Sequence, residues 1–176
     1  MHIKETTDLK DIFAVECAAF GHDEEAKLVE GLLKDSSAKP VHSLMAYDEE
    51  RAVGHIVFTR IRLPEPYNRL AMSILAPLAV VPEYQKQGIG SKLVEKGLEL
   101  LSGAGVDLVF VLGHIEYYPR FGFKPAGALG LDAPYPIPEE VAAAWMVLAL
   151  SPGLIGVVKG KVICADALNK IEYWRE

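Results

Sequence analysis

Apolar residues that recur every three or four positions predict two short helices near the start of the chain. The first helix follows Thr7 and Asp8, either of which has a side chain that can cap it, and it is expected to end near residues 20–21. The second helix begins at the acidic run 23–25, where negative charge suits the positive end of a helix dipole. A short strand at residues 3–4 is predicted before both helices.

Runs rich in β-branched and apolar residues then predict three strands, over residues 43–47, 53–61 and 70–81. A polar turn at 48–51 joins the first two strands into a hairpin, in which Gly54 is a candidate bulge. Pro77 lies inside the third strand and lacks the N–H that a regular ladder needs, so we expect a bulge near residues 76–77.

The pattern returns to helical spacing from Ile89 to Gly103, with apolar residues on one side and Lys and Glu on the other. Residues 107–112 form a short apolar run, as expected for a strand covered on both faces. A strand, a helix and a second strand within roughly 40 residues form a crossover unit, which places the two strands parallel.

The last third of the chain is predicted to hold shorter elements. We expect a short helix over 115–120, a surface loop over 125–138, and two strands over 146–150 and 154–163 joined by a turn at 151–153. The predicted fold class is therefore α/β with a mixed (α+β) sheet: mostly antiparallel N-terminal strands and two central parallel strands. At 176 residues the chain fits one domain, residues 1–176.

The turn between the third strand and the long helix has the chemistry of a phosphate site. It reads Gln85-Lys86-Gln87-Gly88-Ile89-Gly90-Ser91. Glycines let the backbone approach a ligand, and the unpaired N–H groups at a helix start attract anionic oxygen. An ordinary strand-to-helix turn is the alternative. A dinucleotide-binding fingerprint fits poorly because Leu93 stands where its third glycine belongs, and a Walker P-loop lacks its Gly-Lys-Ser/Thr ending here.

Two sequence blocks resemble those of the GNAT superfamily of N-acetyltransferases. Residues 78–90, which end in Gln85-Lys86-Gln87-Gly88-Ile89-Gly90, resemble its central acetyl-CoA motif, Q/R-x-x-G-x-G/A after a strand. Further on, Tyr117-Tyr118-Pro119-Arg120-Phe121-Gly122-Phe123 resembles the family's aromatic-rich short helix ending in Gly-Phe. The resemblance implies an acetyltransferase core at about residues 1–124 and a C-terminal extension over 125–176, similar to a predicted-acetyltransferase branch of the superfamily.

This resemblance implies a GNAT-like sheet whose two central parallel strands splay around the cofactor. Backbone groups of Leu78 and Val80 would bind pantetheine and the acetyl carbonyl, and the amides of residues 85–91 would bind the phosphates. The cosubstrate implied is acetyl-CoA. The implied cofactor-binding residues are Leu78, Ala79, Val80, Gln85, Lys86, Gln87, Gly88, Ile89, Gly90, Ser91, Tyr118 and Phe121.

The resemblance also implies a general acid. Tyr118 aligns with the tyrosine that in many family members protonates the departing CoA thiolate, and a phenol with a pKa of about 10 suits that role. Core packing with a hydrogen-bonded hydroxyl is the alternative for Tyr118. We expect its neighbour Tyr117 to lie in the core, facing the other way.

The general base is less evident. Residues 72–80 contain no Asp, Glu or His, although that strand supplies the base in several family members. His55, His114 and Glu116 are the remaining candidates, and proton transfer through ordered water is the alternative.

The run 22–25 lies where family members often shape the acceptor pocket, but it also suits a solvated helix start.

Composition narrows the class of partner. A formal charge of -6 argues against a general nucleic-acid surface. The N-terminus lacks the features of a signal peptide and no segment approaches ~18 uninterrupted apolar residues, so we expect a cytoplasmic protein without a membrane partner. Cys17 and Cys164 lack the spacing of a disulfide scaffold or a metal site. The apolar tail with Trp145 and Trp174 is a candidate homodimer surface.

The sequence thus predicts an N-acetyltransferase that moves an acetyl group from acetyl-CoA to a primary amine on a small molecule or peptide. Direct attack in a ternary complex is expected, because no activated Cys or Ser supports a covalent intermediate. The alternative is a non-catalytic acyl-CoA-binding sensor or regulatory module, which the absence of an ionisable base on the third strand favours.

Overall fold

A seven-stranded sheet with helices on both faces forms the body of the protein. The computed structural model describes residues 1–175. The helices are α1 Leu9–Phe20, α2 Glu24–Lys34 and α3 Ile89–Gly103. The strands are β1 His2–Glu5, β2 His42–Asp48, β3 Arg51–Ile61, β4 Met72–Val80, β5 Leu108–Leu112, β6 Lys124–Pro125, β7 Leu131–Asp132, β8 Trp145–Ala149 and β9 Gly160–Lys161.

The strands of the main sheet follow the order β1-β2-β3-β4-β5-β8-β6. Every neighbouring pair is antiparallel except β4 and β5, which are parallel and are connected by α3. This confirms the predicted mixed sheet with two central parallel strands. Strands β7 and β9 form a separate parallel pair.

Local signals set the starts of the first two helices as predicted. Asp8 caps α1, since its carboxylate accepts the backbone N–H of Lys10 at 3.0 Å. Asp23 is the N-cap residue of α2, and the two glutamates that follow it lie in the first turn.

The sheet carries two irregularities that the sequence predicts. The register of β3 against β4 shifts so that Ala76 and Pro77 oppose the single residue Val57. This is the bulge expected from a proline inside a strand. A second register shift, in the β2–β3 hairpin, lies next to Gly54.

The parallel pairing of β4 and β5 is short. It runs over residues 72–75 of β4 and 108–111 of β5, whereas β4 continues to Val80. Residues 76–80 of β4 therefore extend past the end of the β5 ladder. Their edge has backbone donors and acceptors for a ligand.

The core lies on both faces of the sheet. On one face α3 packs so closely on β3 that Gly97 touches the ring of Phe58, where a Cβ would come within 2.2 Å of the ring. The other face is covered by α1, α2 and the C-terminal segment, in which Trp145 stacks on Phe110 with ring centroids 5.1 Å apart. Trp174 packs edge-on against Trp145.

The last third differs from its prediction in part. The strand predicted over 146–150 forms as β8, but the strand predicted over 154–163 is wrong: this stretch contains turns, the short β9 and one bridge between Ile163 and Arg62. Its apolar residues Val158 and Val162 are buried against the second core cluster. The helix predicted over 115–120 is a 3₁₀ helix, Tyr118–Phe121, and the predicted loop 125–138 contains β7.

Candidate active site

A cleft of about 970 Å³ opens between the start of α3 and the segment that follows β5. One wall consists of the end of β4, the loop after it and the first turn of α3. The opposite wall consists of residues 114–118 and Arg120. The cleft thus runs past the edge of β4 that extends beyond the β5 ladder.

The loop between β4 and α3 is pinned by its own side chains. The amide of Gln85 donates to the carbonyl oxygen of Val80 at 2.9 Å, and that of Gln87 donates to the carbonyl oxygen of Glu83 at 3.1 Å. Lys86 adopts a left-handed conformation with φ of 62°. These bonds hold the loop against the end of β4 and leave the Lys86 side chain exposed to the cleft.

The first turn of α3 offers backbone N–H groups to the cleft. Gly88 is the N-cap residue, with φ of 85°, and it has no side chain to occupy those groups. A Cβ at Gly90 would lie 3.3 Å from the Tyr117 hydroxyl and 3.7 Å from Val80, so glycine keeps the space between the walls open. The arrangement favours an anion, because the helix dipole is positive at this end.

Tyr118 lines the opposite wall of the cleft, and 7% of its surface is exposed. Its ring packs edge-on against Tyr117 and Phe123, with centroids 5.0 and 5.8 Å away. Burial raises the pKa of Tyr118 above its ordinary value of 10, and the neighbouring Tyr117 raises it further. The phenol is therefore neutral at physiological pH and holds a proton that it can donate.

Tyr117 lies at the cleft rather than in the core, which corrects the expectation for this residue. Its hydroxyl lies 3.0 Å from the hydroxyl of Ser91, so the pair bridges the two walls. The guanidinium of Arg120 lies 5.2 Å from the centre of the Tyr117 ring. The aromatic wall thus carries a cation across from Lys86.

The family profile of the acetyltransferase (GNAT) domain matches residues 2–126. The chain belongs to the GNAT family of acetyltransferases. Among curated relatives, the uncharacterized N-acetyltransferase YjhQ of Escherichia coli K12 is 50% identical over 166 residues, which cover 94% of this chain and 91% of YjhQ. The uncharacterized N-acetyltransferase YhbS of the same strain is 32% identical over 164 residues, 93% of this chain and 94% of YhbS.

Solved structures of GNAT proteins share the whole architecture. YhbS from Escherichia coli, solved in complex with CoA, has a TM-score of 0.85 at 30% identity, covering 96% of this chain and 92% of that chain. A GNAT acetyltransferase from Brucella melitensis, solved with acetyl-CoA, has a TM-score of 0.75 at 29% identity, covering 96% and 97%. The similarity therefore includes the C-terminal segment beyond the family profile.

Most of the cofactor residues predicted for this GNAT chain line the cleft. They are Leu78, Val80, Gln85, Lys86, Gly88, Ile89, Gly90, Ser91 and Tyr118. Three others lie outside its lining. Ala79 lies between Leu78 and Val80 and so faces the other side of the sheet. The Gln87 side chain bonds within its loop, and Phe121 packs edge-on against Tyr117 at 5.3 Å.

The three candidate bases fall in two places. His114 and Glu116 lie on the cleft wall beside Tyr118. His55 lies on the opposite face of the sheet and is fully buried. The structure therefore does not bring His55 together with the other two.

His55 is the centre of a buried hydrogen-bonded network. Its Nδ1 lies 2.7 Å from a carboxylate oxygen of Glu16 on α1, and its Nε2 lies 2.7 Å from the hydroxyl of Ser43 on β2. All three side chains are buried. Burial raises the pKa of Glu16 above its ordinary value of 4.5, and the hydrogen bond and charge of His55 oppose that rise. Sequence reasoning missed Glu16 and Ser43 because they lie 39 and 12 positions from His55.

Tyr84 is a further cleft residue that the sequence did not indicate. Its hydroxyl donates to Asp48 at 2.6 Å, while the neighbouring Glu83 accepts from Arg51 at 2.6 Å. The turn of the β2–β3 hairpin therefore holds the loop that precedes α3. No local motif predicts these contacts, since they join segments more than thirty positions apart.

Residues 1–175 contain no group of three or more His, Cys, Asp or Glu side chains that could hold a metal ion. The described part of the chain also contains no helix that is both long and apolar enough to cross a membrane.

Proposed function

We propose that this GNAT protein transfers the acetyl group of acetyl-CoA to a primary amine by direct attack in a ternary complex. The proposal rests on the observation that the start of α3, the free edge of β4 and Tyr118 all border the same cleft. Similar GNAT structures that hold CoA or acetyl-CoA support the choice of cosubstrate.

The cofactor would lie along three features of the cleft. Its pyrophosphate would accept hydrogen bonds from the first-turn amides of α3, beside the charge of Lys86. Its pantetheine amides would pair with the backbone of residues 76–80, where β4 extends past the β5 ladder. A backbone N–H of this edge, at Leu78 or Val80, would polarise the acetyl carbonyl as an oxyanion-type donor.

Tyr118 would act as the general acid of the reaction. The neutral amine nitrogen forms a bond to the acetyl carbon, the carbon–sulfur bond breaks, and the departing thiolate takes the phenolic proton. The nitrogen loses one proton to solvent as the amide forms, and the phenolate of Tyr118 regains a proton from solvent. Because burial raises the pKa of Tyr118, the phenol is neutral at physiological pH and carries the proton that the departing thiolate takes.

A non-catalytic acyl-CoA-binding module is the second candidate. It is favoured by the absence of Asp, Glu and His from residues 72–80 and by the complete burial of His55. Such a protein would bind acetyl-CoA and leave it intact.

The release of CoA thiol from acetyl-CoA separates the two candidates. The purified protein is incubated with acetyl-CoA and, in turn, a polyamine, an aminoglycoside, free amino acids and a lysine-containing peptide. Thiol release that depends on an amine supports the acetyltransferase. Calorimetric binding of acetyl-CoA without release under any condition supports the sensor, and failure of acetyl-CoA to bind contradicts both.

A further inference from the structure

The part of β4 that borders the cleft is held by one neighbouring strand. Its ladder with β5 ends at Leu75, and within residues 1–175 the stretch 78–80 pairs with residues 54–56 of β3 alone. The bulge opposite Val57 separates this short ladder from the regular pairing at the start of β4. The directions of the backbone N–H groups at the cleft edge therefore depend on where residues 54–56 lie.

The hydrogen bonds of this ladder show which peptide groups of β4 face the cleft edge. The N–H of Val81 donates to the carbonyl oxygen of Val53 at 2.9 Å. Every second pair of an antiparallel ladder exchanges such bonds, so His55 and Ala79 form the next hydrogen-bonded pair. The peptide groups on either side of Ala79 then point away from β3. His55 is therefore the residue of β3 whose backbone holds this part of β4.

The side chain of His55 anchors that backbone from the other face of the sheet. Its Nδ1 lies 2.7 Å from a carboxylate oxygen of Glu16 on α1, and its Nε2 lies 2.7 Å from the hydroxyl of Ser43 on β2. Ser43 is the register partner of Val57, so this bond links His55 to the position of the bulge. All three bonded side chains are at most 4% exposed, and hydrogen bonds in such a dry setting are stronger than in water.

The residue before His55 packs against α3. A Cβ at Gly54 would lie 2.9 Å from the side chains of both Ile89 and Leu93, so the backbone of β3 touches the start of this helix. The same short stretch of β3 thus contacts the cleft edge of β4, helix α1 and the start of α3. A shift of His55 would change how the cleft edge of β4 lies relative to the proposed phosphate site.

We propose that the Glu16–His55–Ser43 network positions the cleft edge of β4 for acetyl transfer, so that the N–H of Leu78 or Val80 points at the acetyl carbonyl. The proposal rests on the proposed acetyltransferase function. The network lies on the face of the sheet away from the cleft, and it acts through the backbone of β3. Its members are positioning residues. A donor that is aimed less well stabilises the developing oxyanion less, which lowers kcat more than it weakens the binding of the cofactor.

Infrared spectroscopy of acetyl-CoA labelled with ¹³C at the acetyl carbonyl tests the proposal without turnover. A hydrogen-bond donor aimed at a carbonyl lowers its stretching frequency. We expect a lower frequency for acetyl-CoA bound to the wild type than for free acetyl-CoA, and a smaller shift in Ser43→Ala. Ser73→Ala is the matched control, since Ser73 is a buried serine on β4 that lies before the bulge and outside the network. The control should keep the wild-type frequency.

The rate of CoA thiol release with an amine gives the second readout. In Ser43→Ala we expect kcat to fall by about 10-fold, with the KM for acetyl-CoA within about 3-fold of the wild-type value, because the amides of the first turn of α3 are unchanged. Ser43→Thr keeps a hydroxyl and should restore kcat and the carbonyl frequency. Glu16→Leu removes the oxygen beside the His55 ring and should act like Ser43→Ala, whereas Glu16→Gln keeps an oxygen there and should retain the wild-type frequency.

A carbonyl frequency in Ser43→Ala equal to that of the wild type would overturn the proposal, and so would a wild-type frequency equal to that of free acetyl-CoA. Equal losses of kcat in Ser43→Ala and Ser73→Ala would also overturn it, because they would show a general loosening of the core. If Ser43→Ala does not fold, the same frequency in Glu16→Leu and Glu16→Gln would be the contradicting result. Absence of thiol release by the wild type with every amine would remove the proposed function instead, and the frequencies would still show whether the network aims the N–H groups.

Discussion

Replacing Gly113 with alanine tests whether the position of the Tyr118 ring sets the rate of acetyl transfer. Gly113 follows β5 and lies directly behind that ring. A Cβ at this position would be 2.4 Å from one ring carbon and 2.9 Å from the next. Ordinary contacts begin at 3.4 Å, so the nearer ring carbon must move by about 3.4 − 2.4 = 1.0 Å, or the backbone must yield by as much.

A displacement of this size is large for a catalytic group. Misplacing a reacting group by about 1 Å can lower a rate by about 10²-fold. We therefore expect kcat for amine acetylation to fall by about 10²-fold in Gly113→Ala, with a destabilisation of about 1–3 kcal/mol from overpacking. The dissociation constant of CoA should change by about 3-fold or less, because the first turn of α3, the proposed phosphate site, is untouched.

Gly103→Ala is the matched control, since a Cβ there meets no atom within 4 Å. Thiol release measures kcat, calorimetry measures CoA binding, and urea unfolding measures stability. The reasoning fails if Gly113→Ala keeps the kcat of the wild type and of the control while it remains folded and binds CoA. Such a result would mean that the ring position does not limit the reaction.

Three further predictions follow from single contacts. Gly88→Ala places a Cβ on a backbone with φ of 85°, which costs about 1–2 kcal/mol of conformational energy. Calorimetry should therefore show weaker CoA binding by this variant, and unchanged affinity would exclude a role for this turn. Tyr84→Phe removes the 2.6 Å bond to Asp48 and should raise the dissociation constant of CoA by about 2- to 5-fold with kcat unchanged; a fall in kcat alone would contradict the bracing role. Because the pKa of Glu16 is raised above 4.5, the folded chain binds that proton more tightly than the unfolded chain, so stability from this group falls as pH rises from 4.5 through the folded pKa. In urea unfolding the wild type should therefore lose stability relative to Glu16→Gln as the pH rises above 4.5, and a gap independent of pH would refute the raised pKa.

Much of the fold could be predicted because its signals are local. Asp8 caps α1 with a side chain two residues from the amide that it binds. Pro77 marks its own bulge because it lacks an N–H. The glycines at the start of α3 allow the turn and leave its first backbone N–H groups open to a ligand. Each of these features depends on residues within one turn or one strand.

The rest depends on contacts between distant segments. The network around His55 forms only when α1 lies across β2 and β3, and no spacing in the sequence brings Glu16 to that histidine. Tyr117 is the N-cap residue of the 3₁₀ helix that begins at Tyr118, and the directions of the two side chains follow from packing against Ser91 and Gly113 rather than from a strand-like alternation. The sequence therefore predicted most of the residues that line the cleft, but it did not predict the network around His55.

The predicted strand over 154–163 failed for a related reason. The apolar residues of this stretch indicate that it is buried, and Val158 and Val162 are buried in the structure. Burial alone does not require a ladder, however. The chain there packs against the sheet through turns, and β9 pairs with β7 in a separate two-stranded sheet.

The rate of CoA thiol release by Tyr118→Phe tests the proposed mechanism most directly. The substitution removes one hydroxyl and keeps the ring that packs against Tyr117 and Phe123. If Tyr118 protonates the thiolate, kcat should fall by about 10²-fold or more, while the dissociation constant of CoA stays within about 2-fold of the wild-type value. A folded Tyr118→Phe variant that acetylates the same amine at the wild-type rate would contradict the mechanism.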